Sequence, residues 1–378
     1  MNALERLGEH GQSFWLDNLT RGMLTSGELA RRVSDEGLRG VTSNPAIFHG
    51  AISEGKEYDA DITRFAAEGL DAAEVYERLT VADVRAACDV LRAVWDESDG
   101  ADGYVSLEVS PHLAHDPEGT LDEARRLFDA VGRPNALIKI PGTEAGVPAV
   151  RQALFEGINI NITLLFALDA YESVAAAYLD ALEQRREAGR RVDDVGSVAS
   201  FFLSRIDTET DARLDAIAEA ADQETADRLR ALRGQAAIAN AKLAYRSFEE
   251  RLDRGRWEAL ARDGARPQRM LWASTSTKDP SYRDVKYVEP LIGPWTINTM
   301  PESTARAFLD HGEVAETVRD GMEKAAAVME DLADVGVDFD DVTRTLLDEG
   351  VEKFITPYDR LLAGLEDRIG TLMAGSAS

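Results

Sequence analysis

The stretch "NALIKIPGTEAG", residues 135–146, places an ammonium group inside a run that is otherwise almost wholly apolar. That group, Lys139, is the one whose setting points to chemistry. Lys56, Lys242, Lys278, Lys286, Lys324 and Lys353 sit among polar or charged neighbours, where a cation stays hydrated. An amine taken out of water, above all near other cations, gives up its proton more easily and can attack a carbonyl carbon. The product is a Schiff base. Its protonated form draws electrons from the adjacent carbon–carbon bond, so aldol cleavage or formation proceeds without a metal. Such chemistry also needs an acid/base near the broken bond and a second group that moves protons while the imine forms and hydrolyses. Carboxylates such as Asp17 and Glu108 suit both tasks. A buried ion pair of Lys139 with either carboxylate is the competing reading, but such pairs rarely gain net stability. The amine is therefore expected to be dehydrated and unpaired.

Positioning these groups requires a scaffold, and the chain supplies an alternation. Short apolar or β-branched runs occur at residues 13–17, 40–44, 104–109, 136–141, 161–166, 197–202, 270–275 and 295–300. Helical spacing fills most gaps, as in "SGELARRVSDEG" and "LDEARRLFDAVG". Strand then helix, repeated eight times, predicts a parallel sheet closed into a (β/α)₈ TIM barrel of the α/β class. An open doubly wound sheet is the alternative, although no G-x-G-x-x-G follows the first strand. No linker interrupts residues 1–378, so one barrel domain is expected, with helical insertions near 45–95 and 206–265. Residues 287–293 read as either strand or loop, and the terminal "TLMAGSAS" as frayed.

Both faces of a parallel barrel strand are buried, so polar residues there need a reason. In "ALIKIP", Ile138 and Ile140 share one face while Leu137 and Lys139 share the other, which turns the lysine into the barrel. Asp17, Asn44, Glu108, Lys139, Asn161, Thr163 and Ser200 all fall late in or near their runs. Any one of them alone would be ordinary buried polarity. Together, at the same end of successive strands, they face one cavity.

A net charge of −27 argues against nucleic acid and acidic membrane surfaces as partners. Cys88 is alone and cannot form an internal disulfide; its helical setting reads as core packing. The N-terminus lacks a secretory pattern and no apolar run is long enough to span a bilayer, so a cytoplasmic protein is expected. His112, His115 and Asp116 lie between Pro111 and Pro117, which reads as a loop rather than a metal site. There is no phosphate-binding G-x-x-x-x-G-K-[ST] sequence.

Several stretches, in order along nearly the whole chain, resemble transaldolase, in particular its longer actinobacterial-type branch. They are "GVTSNPAIF", "VSLEV", "LIKIPGT", "GININITLLF", "SFFLSR" and "LWASTSTKDP". The resemblance implies that Lys139 forms the Schiff base with a ketose donor and that Asp17 takes the proton of the donor's C4 hydroxyl. Glu108, with Thr163 and a water, would move protons at the imine. Asn44, Asn161 and Ser200 would hold the three-carbon unit. Arg205 and Ser274 match phosphate-contacting positions. Where shorter bacterial relatives carry an arginine, this chain has Ser276, and Lys278 two residues on offers the missing charge. The implied reaction transfers dihydroxyacetone from sedoheptulose 7-phosphate to glyceraldehyde 3-phosphate in the pentose phosphate pathway. It involves sugar-phosphate partners and no cofactor, and a homodimer remains open. A related aldolase that releases free dihydroxyacetone is the alternative, and a sugar-phosphate sensor would be expected to lose Lys139 or Asp17.

Overall fold

Eight parallel strands close into a barrel in chain order. They are β1 (Gln12–Asp17), β2 (Leu38–Thr42), β3 (Val105–Glu108), β4 (Ala136–Pro141), β5 (Ile160–Leu165), β6 (Ser197–Phe202), β7 (Arg269–Ala273) and β8 (Thr296–Met300). The computed structural model describes residues 1–376. Closure runs through Trp15↔Thr299 and Leu16↔Met300 between β1 and β8. Every residue of β4, β5 and β6 is buried, as expected for strands covered on both faces. Gly40 lets β2 pass beside β1, since a Cβ there would lie 2.3 Å from the Trp15 ring.

The strand bounds sit within a few residues of the predicted runs, and the differences have local causes. β2 stops at Thr42 because Asn44 caps the helix Pro45–Glu54, its Oδ1 accepting from the Ile47 amide at 3.0 Å, with Pro45 in the first helical turn. β7 stops at Ala273 because Ser274 turns into the left-handed region, with φ 55°. The run at 287–293 is a single 3₁₀ turn, Glu289–Leu291.

The expected eightfold repetition of strand then helix breaks at one place. Among the described residues no α-helix joins β7 to β8. Helix Ala236–Leu252, from the region between β6 and β7, packs there instead. Asn240 Nδ2 donates to the Phe166 carbonyl at 2.7 Å, and the Tyr245 hydroxyl to the Pro294 carbonyl at 3.1 Å. Lys242, read from sequence as a hydrated lysine, is in fact buried: its Nζ donates to the Thr317 and Asp320 carbonyls, both at 2.7 Å, which replace water.

Between β2 and β3 lie helices Pro45–Glu54, Asp59–Ala67, Ala72–Val90 and Arg92–Glu97. Cys88 is fully buried on the third of them. His112 stands on a 3₁₀ turn and pairs with Asp359 at 2.7 Å, while Asp116 caps helix Pro117–Val131. The last helix, Phe339–Ser376, continues through "TLMAGS", so that stretch is helical; Ala377 and Ser378 lie outside the described residues. This helix rests against the C-terminal end of β5. Leu164 there has φ 60°, beside a β-bulge, and Gly350 faces it so closely that a Cβ would meet Leu164 Cδ2 at 3.0 Å.

Candidate active site

Register brings the reactive groups together. β3 and β4 pair Glu108 with Lys139, and β4 and β5 pair Lys139 with Asn161. Residues opposite one another on parallel neighbours point to the same face, so all three side chains enter the barrel at one level. Lys139 Nζ lies 3.3 Å from Glu108 Oε2 and donates to the Ser43 carbonyl, also at 3.3 Å. The two charged side chains are only 6% and 4% exposed.

The amine is thus dehydrated, as expected, but not unpaired. The register itself produces the pairing. At 3.3 Å the contact is longer than a tight charge-assisted hydrogen bond, and Nζ keeps open space beside it. That space is a cavity of ≈180 Å³ lined by Asp17, Asn44, Lys139, Thr163, Ser200, Arg205, Ser274, Ser276 and Lys278, with Thr42, Thr299, Phe202 and Phe354 among the remaining wall. Of the residues singled out from sequence, only Glu108 and Asn161 stand outside this wall. Asn161 lies behind it, accepting from Ser200 Oγ at 2.6 Å and donating to Ser106 Oγ at 3.0 Å.

Desolvation dominates the electrostatics. Burial lifts the Glu108 carboxyl from its ordinary 4.5 to about 7, helped by the Asp17 charge and opposed by Lys139. Burial also raises Asp17, while Lys139, a 2.7 Å hydrogen bond from Thr42 and the Lys278 charge pull it down. Glu108 therefore exchanges a proton near neutrality, as a proton shuttle must. Glu108 Oε1 and Thr163 Oγ1 are buried with no partner among the described residues, so each has a hydrogen-bonding position free for a ligand or water.

A cluster of cations forms the other wall. Arg205 stands in the first turn of helix Ser204–Ala218, over the Phe202 ring at 5.6 Å, and its buried Nη1 has no partner. Desolvation lowers its pKa, as it does for Lys278, which also feels the Arg205 charge. The exposed Lys278 donates to Ser276 Oγ at 2.8 Å, and both residues reach the cavity. The strained Ser274 is fastened by its hydroxyl to Ser204 Oγ at 2.9 Å and by its carbonyl to the Ser204 amide at 3.1 Å.

Sequence reasoning missed Phe354, whose ring lies 5.3 Å from Lys139 Nζ and closes the cavity from the last helix. It also passed over Thr42 and Thr299, joined at 2.7 Å, although both are polar residues at strand ends and the same rule could have found them.

A closed parallel barrel with a buried lysine, a carboxyl that titrates near neutrality and an unsatisfied arginine around one cavity defines a class, that of barrel enzymes able to work through a lysine imine on phosphorylated carbonyl compounds. The family model Transaldolase/Fructose-6-phosphate aldolase matches residues 14–365. The chain is 47% identical over 376 residues to Transaldolase 2 of Nostoc sp. (98% of this chain, 99% of the relative). It is 49% identical over 370 residues to Transaldolase of Frankia alni (98% of each), and 47% identical over 374 residues to Transaldolase of Thermobifida fusca (99% of each). The chain belongs to the Transaldolase/Fructose-6-phosphate aldolase family.

The raised Glu108 pKa carries a stability consequence. Between 4.5 and about 7 the folded state holds a proton that the unfolded chain releases. The resulting stabilisation is full below 4.5 and is lost as pH rises through about 7. Glu108→Gln stays neutral throughout, so its melting temperature relative to wild type is expected to rise across that interval and level off above it. Melts followed by circular dichroism at several pH values test this; a difference that does not change with pH would show that Glu108 is not held protonated.

Proposed function

We propose that the protein is a transaldolase, moving a dihydroxyacetone unit from sedoheptulose 7-phosphate to glyceraldehyde 3-phosphate and giving erythrose 4-phosphate and fructose 6-phosphate. The observation that carries this reading is the placing of Lys139, buried beside Glu108 yet open to a cavity that Asp17 and Arg205 share. The family covers both transfer and simple aldol release, and the relatives' names favour transfer.

In this reading Lys139 attacks the ketone carbon of the donor, and Glu108 moves the protons that turn the carbinolamine into an imine, with Thr163 holding the departing oxygen as water. Asp17, on the wall of the cavity that Lys139 lines, takes the proton of the C4 hydroxyl. The C3–C4 bond then breaks, its electron pair passes into the imine, and an aldose phosphate leaves. Ser200 and Asn44 hold the three-carbon unit, with Asn161 orienting Ser200 from behind. Arg205, Ser274, Ser276 and Lys278 bind the phosphate, and Arg205 offers it a bidentate fork. The second aldose phosphate adds to the same carbon, and hydrolysis frees the product. Transfer requires that water reach the intermediate more slowly than the acceptor does. The rings of Phe202 and Phe354 supply that dry wall.

Three outcomes are expected. Borohydride added with fructose 6-phosphate inactivates the protein and leaves a three-carbon adduct on the peptide bearing Lys139; an adduct on another lysine, or none, would remove the proposed nucleophile. Lys278→Ala raises KM for phosphorylated substrates roughly tenfold with kcat nearly unchanged, the loss of one charged hydrogen bond; an unaltered KM would take Lys278 out of the phosphate site. Phe354→Ala admits water and increases free dihydroxyacetone released from fructose 6-phosphate when no acceptor is present. Release at the wild-type level would mean that the ring does not shield the intermediate.

A further inference from the structure

Glu108 faces two spaces. Its Oε2 meets Lys139, but Glu108 is not among the residues that line the cavity holding the amine. It lines a second cleft, of ≈680 Å³, which opens between helices Ala72–Val90 and Pro117–Val131 and which Lys139 does not reach. Ala73 stands exposed in this cleft, and Tyr76, Ser110, Glu123 and Tyr358 lie around it. Two contacts order this wall. The Ser110 amide donates to Glu123 Oε2 at 3.1 Å, and the Tyr76 and Tyr358 rings meet edge to face at 5.5 Å. Burial, with Tyr358, Glu108 and Glu123 nearby, holds the Tyr76 hydroxyl well above the usual phenol range, so it remains an O–H donor. Glu108 Oε1 is buried without a partner among the described residues.

The chemistry needs such a route. Condensation of the Lys139 ammonium with a ketone gives a protonated imine and one water: nitrogen loses two protons, the ketone oxygen gains both, and the carbon–oxygen bonds give way to the carbon–nitrogen double bond. Glu108 can carry these protons one at a time and end unchanged. The water has to leave, and later one has to return to hydrolyse the product imine, while a sugar phosphate fills the front cavity.

We propose that the second cleft is the water route of the imine steps, separate from the substrate mouth, with Tyr76 and Glu123 as positioning residues that hand water to Glu108. This rests on the reading of Glu108 as the proton shuttle. The phosphate end of the site has no part in the route, so substrate affinity is independent of it.

Imine formation and hydrolysis exchange the C2 oxygen of fructose 6-phosphate with solvent, which gives a direct readout in ¹⁸O-water by mass spectrometry. Tyr76→Phe removes the hydroxyl and keeps the ring. Ala73→Trp fills the cleft from an exposed position without touching the core. Each full-length variant is expected to incorporate label roughly tenfold more slowly, with KM for fructose 6-phosphate and the final yield of borohydride-trapped Lys139 unchanged. Glu108→Gln is expected to slow exchange more, by about a hundredfold, since it removes the acid/base group itself. Slow exchange in Glu108→Gln with wild-type rates in both cleft variants would overturn the water route and leave the shuttle intact. Wild-type exchange in Glu108→Gln would overturn the shuttle, and the route with it.

Discussion

The interaction on which the site depends is the contact between Lys139 and Glu108, and the register of two buried strands imposes it. Pairing Glu108 with Lys139 across β3 and β4 sets the two side chains beside each other on the inner face of the barrel. Both are almost fully out of water, where an isolated charge would be prohibitive. A tight buried pair would answer that problem and silence the amine. The observed geometry stops short of this: 3.3 Å to the carboxylate, 3.3 Å to a carbonyl, and space on the remaining side. Because burial lifts the Glu108 carboxyl to about 7, that carboxyl can take up or release a proton near neutral pH. Pairing and reactivity are compatible here because the pair is loose and its carboxyl is half inclined to be neutral.

Charge is distributed against the bulk trend. A chain of net −27 has a strongly acidic surface, yet Lys139, Arg205 and Lys278 gather around one small cavity. Asp17 lies among them, and the charges of Lys139 and Lys278 offset part of the desolvation that raises its pKa. Arg205 Nη1 is buried and unpartnered among the described residues, a donor whose desolvation an arriving acceptor would offset.

Much of the site was legible because barrel strands allow so few polar residues. Asp17, Lys139, Thr163 and Ser200 interrupt apolar runs at one end, and the closed sheet brings that end together whatever the loops do. What escaped was set by contacts distant in sequence. That Lys139 is paired depends on the relative register of two strands, which periodicity does not give. Lys242 was read as hydrated among polar neighbours, although Ala241, Leu243 and Ala244 flank it, and the carbonyls that satisfy it come from Thr317 and Asp320. Helix Ala236–Leu252 packs where an α-helix between β7 and β8 was expected, a substitution visible only in three dimensions. Phe354 was not singled out, since nothing local distinguishes a ring over an amine from a ring in a core.

That last helix links the parts. Gly350, Phe354 and Tyr358 recur every four residues and so share a face. Gly350 lets the helix settle on Leu164, whose left-handed conformation follows directly on Thr163. One turn on, Phe354 covers Lys139, and a turn further Tyr358 enters the second cleft beside Tyr76. Pro357 leaves the carbonyl of Lys353 without its usual helical donor, and Lys353 is exposed, where water can serve that carbonyl. One face therefore meets β5, covers the amine and borders the cleft that Glu108 also lines. A shift of the helix along its axis would alter all three together, which makes its seat at Gly350 a constraint on chemistry as much as on packing.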